Sequence, residues 1–410
     1  MPDARDLPKL IYIIGTYPLL TTTFIDREVQ TLREMGLRIE ILSIRRPPAE
    51  VNQVEAYREM QRRITYLLPA SLAKFVLAHV YFVALHPIAC LGLLAFLFTR
   101  PHRTLRLRMK TLLHFAEGVY AAYLLRGRDF DHIHAHFVDR AATVALCVGR
   151  LLRKTYSLTA HANDIYMDPA LVRDKIAASK FSVTVSEFNK AHLVRHNPTL
   201  VADRIHVLHP WVDLSCFKAP EARTEHLRLR ILSVGRLVEK KGHHVLVEAC
   251  GLLQQAGLDF ECHILGDGPM QPELEARIGQ RGLTDRVHLL GARPQSEVLA
   301  HLSEADVFVL ACVVAANGDR DGMPVALAEA MAMELPVVST DLVGIKELVR
   351  PGTGYLAPPN DAAALAGAIR ALHAAGVSGR LEMGRLGRTI VAAHFDVREG
   401  IRRLAELFQS

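Results

Sequence analysis

Short apolar runs alternate with longer amphipathic stretches along most of the chain. In the first half the runs fall at 9–15 (KLIYIIG), 37–44, 132–137 (HIHAHF), 156–160, 181–186 and 205–210. In the second they fall at 229–234, 260–266, 287–291, 307–311 and 335–340. Runs this short and this continuous predict strands buried on both faces, as in parallel sheets. Helical periodicity fills the intervals, for example over 22–35 and 139–152, and the chain from 361 onward is helical, ending in a helix over 397–408. Strands alternating with helices predict an α/β protein with doubly wound sheets.

The stretch 72–98 breaks this alternation, being almost wholly apolar and followed by Arg100, Arg103, Arg106, Arg108 and Lys110. Its length would suffice for a membrane span, but a single crossing would separate strands that must share one sheet. His79 and His86-Pro87 also divide the run into pieces too short to cross. Two readings stand: a pair of buried helices, or a monotopic patch with a cationic rim that docks on an anionic leaflet.

A chain of 410 residues exceeds what one core usually supports, which predicts two domains. The charged segment 221–230 serves as linker, so the domains are 1–218, including the apolar insert, and 219–395; the terminal helix 396–410 is placed to cross back to the first. Half the residues are hydrophobic and the net charge is +6. There is no basic tail or aromatic-interleaved basic repeat, which argues against nucleic acid and for phosphate-bearing substrates or anionic lipid. Cys90, Cys147, Cys216, Cys250, Cys262 and Cys312 are scattered without paired spacing and read as buried thiols in a reducing compartment. Residues 1–10 lack the apolar core of a signal peptide, which predicts a cytoplasmic protein.

The candidate chemistry centres on DGMPVALAEAMA, 321–332, between two hydrophobic strands. Pro324 suits a first helical position, so a helix is expected to start within a residue or two of Asp321. Its free N–H groups make a site for a diphosphate. Gly322 allows close approach of the backbone, and Glu329, further along the helix, would present its carboxylate to ribose hydroxyls. In GRLVEKKGH, after the strand 229–234, Gly235 and Arg236 lie at the strand tip and Lys241 precedes a helix. Arg236 and Lys241 can converge on one anionic group. GDGP, with Gly266, is a turn at a third strand tip that would wall the same pocket.

Gly15 ends the first strand, where a doubly wound sheet receives ligands. His132, His134 and His136 share one strand face. No carboxylate or cysteine at helical spacing completes a metal site there, and no metal is expected. Walker spacing is absent, and no complete GxGxxG follows a strand.

The 321–332 segment resembles the acidic pair of the retaining glycosyltransferases of family 4, which have the GT-B fold of two Rossmann-like domains facing across a cleft, with Asp321 where that family usually has Glu. DGMPVALAEAMA and the N-terminal TFIDREV resemble the bacterial enzymes of colanic-acid and exopolysaccharide assembly. TAHANDIY, 159–166, is similar to the family segment whose histidine faces the donor sugar, and maps to His161. The resemblance puts Arg236 and Lys241 on the nucleotide diphosphate, the Gly15 loop near donor phosphates and acceptor, and GARP, with Ala292 and Arg293, beside the base. Asp321 and the backbone of Gly322, Met323, Pro324 and Val325 would hold the donor sugar.

The resemblance implies transfer of a hexose, with retention, from a nucleoside diphosphate sugar to a hydroxyl of a lipid-linked or other saccharide at the inner face of the cell membrane. Such a transfer needs no cofactor besides the donor. The alternatives are a sugar-nucleotide epimerase of the same fold and a membrane-docked partner protein without turnover.

Overall fold

The computed structural model describes residues 7–19, 22–49, 51, 55–167, 170–221, 223 and 226–410. Residues 1–6, parts of the turn after the first strand (20 and 21) and of the linker (222, 224 and 225) lie outside the described residues. The chain divides into two compact units, one of Met1–Val185, Asn189–Leu208 and Ile401–Ser410, the other of Ser186–Phe188 and His209–Gly400.

The first unit holds a seven-stranded parallel sheet: β1 (Lys9–Thr16), β2 (Arg38–Arg45), β3 (Ile64–Tyr66), β4 (His132–His136), β5 (Thr155–Ala160), β6 (Ser182–Thr184) and β7 (Ile205–Val207). Their order is β3-β2-β1-β4-β5-β6-β7. The second unit holds β8 (Leu229–Val234), β9 (Phe260–Leu265), β10 (Val287–Gly291), β11 (Val307–Leu310), β12 (Val337–Thr340) and β13 (Gly354–Ala357), in the order β10-β9-β8-β11-β12-β13. Both sheets start from a central strand, wind outward to one edge, and then return to the other side of that strand. The reversal between β1 and β4, and again between β8 and β11, opens a crevice at the carboxyl ends of the strands.

The strands are apolar because helices cover them on both sides. Ile11, Ile13, Ile133, Ala135 and Leu158 pack with Val144 and Val148 of the helix Arg140–Leu152 in the first core, and Ile231, Ile264, Val307 and Val309 with Val247 and Leu253 in the second. The terminal helix Val397–Gln409 ends in the first unit, where Phe408 lies against Tyr12, His132, His134 and Phe181. Five cysteines are buried and Cys216 is exposed, correcting the expectation for that residue. Within the linker, Arg223 donates to the carbonyls of Leu302, Ser303, Ala305 and Met333.

The stretch 72–98 forms two helices, Leu72–Leu85 and Pro87–Thr99, bent by 109° at His86. His79 sits inside the first helix, its ring bonded to the Phe75 carbonyl, and does not divide it. The reading of two buried helices is overturned. Only Ala78 and Phe82 of the first helix and Cys90, Leu93 and Leu97 of the second are buried, while Leu72, Val76, Val80, Ile88 and Leu91 stand half or more exposed. Among the described residues no single helix is long and apolar enough to cross a membrane.

Candidate active site

In the second unit the segments leaving β8 and β11 meet at the switch point. After β8 the chain runs through Gly235 and Arg236 into a 3₁₀ turn, Glu239–Lys241, and then Gly242, which precedes the helix His243–Gln255. Gly242 has φ +68°, and a Cβ there would lie 1.7 Å from the Ala311 carbonyl oxygen just beyond β11. Only glycine lets the two backbones meet so closely. Gly266, at the end of β9, is under the same constraint: at φ +142° its Cβ would fall 2.0 Å from the Gly235 carbonyl oxygen. Gly266, read from the sequence as a wall of the pocket, and Gly242 thus hold the strand-tip loops against one another.

This contact brings Lys241 to Asp321. Lys241 Nζ lies 2.8 Å from Asp321 Oδ2, and Lys240 Nζ lies 3.5 Å from Asp321 Oδ1 and 3.1 Å from Asp319 Oδ2. Burial acts to raise the Asp321 carboxyl, but Lys241 and Lys240 outweigh it and hold its pKa below the ordinary value. Burial would likewise lower Lys241, and Asp321 reverses that. Arg236 is exposed, and no ion pair or side-chain hydrogen bond engages it among the described residues. Lys241 thus pairs with Asp321, with its stem packed 3.3–3.6 Å from the Cβ position of Gly235, while Arg236 is uncommitted.

The helix carrying Glu329 is Val325–Ala332, starting four residues after Asp321 rather than one or two. Pro324 is its N-cap residue, with extended ψ of 119°, not its first helical residue. Gly322 and Met323 are buried in the turn before it, Val325 is half-buried in its first turn, and Glu329 is half-buried on its side. The Arg293 guanidinium donates to the Leu290 carbonyl at 2.9 Å and to Glu297 at 3.2 Å. Ala292 is exposed beside it.

In the first unit Gly15 lies inside β1, one residue short of its end, and a Cβ there would meet nothing within 4 Å. Strand β4 pairs in register with β5, setting His132 opposite Thr155, His134 opposite Ser157 and His136 opposite Thr159. His132 and His134 hydrogen-bond to these hydroxyls at 2.7–3.0 Å. His136 instead places Nε2 3.1 Å from Glu28 Oε1 and Nδ1 3.3 Å from His161 Nε2. Tyr12 Oη donates to the same Glu28 oxygen at 2.7 Å.

A connected row Tyr12–Glu28–His136–His161 results, and Glu28 is the neighbour of these histidines that sequence reasoning missed. Burial and His136 push the His161 pKa well below its usual value. The protonation of His136 then sets the free face of His161. A neutral His136 bonded to Glu28 through Nε2–H leaves His161 Nδ1 as an acceptor; a protonated one makes it a donor. The sequence expectation that no carboxylate completes a metal site here needs correcting, because Glu28, His134 and His136 present ligand atoms within 4.8 Å of one another. Each already has a hydrogen-bond partner in the protein.

Two parallel sheets of the same winding, with charged strand-tip loops at the switch point of the second, define an α/β protein of the GT-B class. Solved structures agree: the chain superposes on a glycosyltransferase from Rickettsia africae ESF-5 with a TM-score of 0.72 at 17% identity, covering 98% of both chains. It superposes on Anabaena Alr3699/HepE in complex with UDP with a TM-score of 0.70 at 15% identity, covering 97% of this chain and 98% of that one. Residues 228–375 match the family model of glycosyl transferases group 1. The chain therefore has the GT-B fold and carries a glycosyl transferases group 1 domain. It is 41% identical over 209 residues to the amylovoran biosynthesis glycosyltransferase AmsK of Erwinia amylovora, covering 51% of each. The chain spans about half the length of the first curated relatives it matches.

Proposed function

We propose that this protein is a retaining glycosyltransferase that moves a hexose from a nucleoside diphosphate sugar to a hydroxyl of a lipid-linked saccharide, in the assembly of an exopolysaccharide. The observation that carries this reading is the Lys241–Asp321 pair at the β8/β11 switch point of the group 1 domain, with the uncommitted Arg236 beside it. Arg236, Lys241 and the first N–H groups of the helix Val325–Ala332 hold the diphosphate and offset the charge that develops as it leaves. Glu329 holds the ribose. Asp321 and the Gly322–Val325 backbone hold the donor sugar, and His161 of the first unit orients the transferred group.

The leaving diphosphate takes the acceptor proton on the face from which it departs, so no second carboxylate nucleophile is needed. The cations meet the diphosphate charge without a divalent ion, so chelation with EDTA is expected to leave the rate unchanged. The relatives' roles in amylovoran and colanic acid biosynthesis support the polysaccharide assignment. The exposed apolar faces of the helices Leu72–Leu85 and Pro87–Thr99 support action at the surface of the inner leaflet.

A thermal-shift panel of UDP, GDP, ADP and their sugar conjugates, without metal, tests the donor half. A ligand at a hundred times its dissociation constant stabilises by about 2.7 kcal/mol, a shift of several degrees for units of this size. A shift confined to one base identifies the donor class; no shift with any of them removes the donor site.

A further inference from the structure

One opening within the first unit is lined by none of the site residues described above. It is a cavity of about 730 Å³ at the carboxyl ends of β2, β4 and β5. Arg45, the last residue of β2, lies on one side; Asp139 and Arg140, after β4, and Asn163 and Asp164, after β5, form the floor. The far wall is the helix Leu105–Leu125. Carboxyl strand ends are where a doubly wound sheet takes ligands. Asp164 ties the floor to the candidate site, its carboxylate accepting the backbone N–H of His161 at 3.0 Å and of Val138 at 2.7 Å.

The charge in this cavity is unbalanced. Five cations line it, Arg45, Arg106, Lys110, Arg140 and Lys175, against three carboxylates, Glu117, Asp139 and Asp164. Arg140 is engaged by Glu117, and Lys175, buried, donates to the Asp139 carbonyl at 3.0 Å. Arg45, Arg106 and Lys110 make no ion pair or side-chain hydrogen bond among the described residues. The positive field of the cavity is felt at His114, which burial, and then Arg140, Lys175, Lys110 and Arg45, push down to about 3. Three uncommitted cations over a cavity already lined with positive charge suit a phosphate or diphosphate group.

The same helix presents an apolar stripe one residue back from its polar one. Arg106, Lys110 and His114 recur every four residues along the cavity, while Leu105, Met109 and Leu113 are 73%, 52% and 63% exposed. Leu113 lines the cavity mouth as well. The bent helix pair packs on this helix through Phe75 against Tyr120 and Tyr81 against Tyr123, and its outer face is apolar too. An anion seat that opens beside an uncovered apolar surface matches a ligand with one phosphate end and one long hydrocarbon end.

We infer that this cavity seats the phosphate group of the lipid-borne acceptor, with the hydrocarbon chain lying along the exposed face of the helices; the inference rests on the glycosyltransferase reading above and deepens it. The test is binding of farnesyl phosphate, farnesol and inorganic phosphate to the full chain, wild type and two variants. R106Q/K110Q is expected to weaken farnesyl phosphate about tenfold or more for each cation removed, leaving farnesol unchanged. L105Q/M109Q/L113Q is expected to weaken farnesyl phosphate and farnesol together, leaving inorganic phosphate unchanged. Wild-type protein that does not bind farnesyl phosphate, or R106Q/K110Q that binds it as wild type does, overturns the inference. Inorganic phosphate binding as tightly as farnesyl phosphate also overturns it, by showing a free-phosphate site with no lipid contribution. The nucleotide-induced thermal shift, measured on the same proteins, reports the donor site separately, so failure of one reading is distinguishable from failure of the other.

Discussion

The Asp321–Lys241 pair allows a quantitative test. Both side chains are less than one-fifth exposed and their charged atoms are 2.8 Å apart. With an effective dielectric constant of about 20, the attraction at that distance is about 6 kcal/mol before desolvation is charged against it. Removing one partner of such a pair strands the other, at about 3–5 kcal/mol. In Asp321→Asn the amide oxygen still accepts one hydrogen bond from Lys241, so the loss should sit near the lower end, about 3 kcal/mol. In a unit of this size that lowers Tm by about 6–12 °C.

The double variant Asp321→Asn, Lys241→Met should recover most of the loss, since Lys240 keeps Asp319 at 3.1 Å and no buried charge is left alone. The pH dependence has a definite sign. The Asp321 pKa is depressed, so its contribution is present above about pH 4 and is lost as the pH falls through its folded value. The Lys241 pKa is raised, so its contribution is present below about pH 10 and is lost as the pH rises through its folded value. Melting curves of the three proteins from pH 3 to 9 provide the assay. A double variant as unstable as Asp321→Asn, or a deficit in Asp321→Asn that persists unchanged at pH 3, would refute the electrostatic account.

Other substitutions separate the assigned roles. Glu329→Ala should lose donor affinity, seen as a raised donor KM and a lost nucleotide thermal shift, while Asp321→Ala should lower kcat more than it raises KM; equal small effects from both contradict the roles given. Glu28→Gln should lower kcat about tenfold or more through His136 and His161, with donor KM little changed, and an effect on KM alone would remove the Glu28 row from the mechanism. Gly242→Ala should destabilise the second unit severely, because its Cβ would meet the Ala311 carbonyl oxygen at 1.7 Å; denaturant unfolding that matches wild type would show that the loop relaxes without cost.

Most of the fold was legible because parallel strands buried on both faces are continuous in apolar character; β8 and β10 begin and end where the periodicity puts them. β3 and β13 escaped for the opposite reason: ITY has three residues, and GYLA is a four-residue edge strand with three positions only half-buried. Asp321, Lys241 and His161 were legible as residues of the connections that follow strands, but the pairing of Lys241 with Asp321 depends on the approach of Gly242 to Ala311, which no local pattern encodes. Glu28 reaches His136 from a helix 108 residues earlier, a separation at which spacing rules are silent. The helices Leu72–Leu85 and Pro87–Thr99 are apolar on every side, so periodicity could not say which stripe is buried.

The most direct test of glycosyl transfer is release of free nucleoside diphosphate from the nucleotide sugar selected by the thermal-shift panel, with and without a lipid-linked saccharide acceptor. The account predicts diphosphate release that requires the acceptor and is abolished with Lys241→Met. Conversion of the donor sugar without any release of diphosphate would establish an epimerase instead, and no turnover under either condition would contradict the assignment as an enzyme.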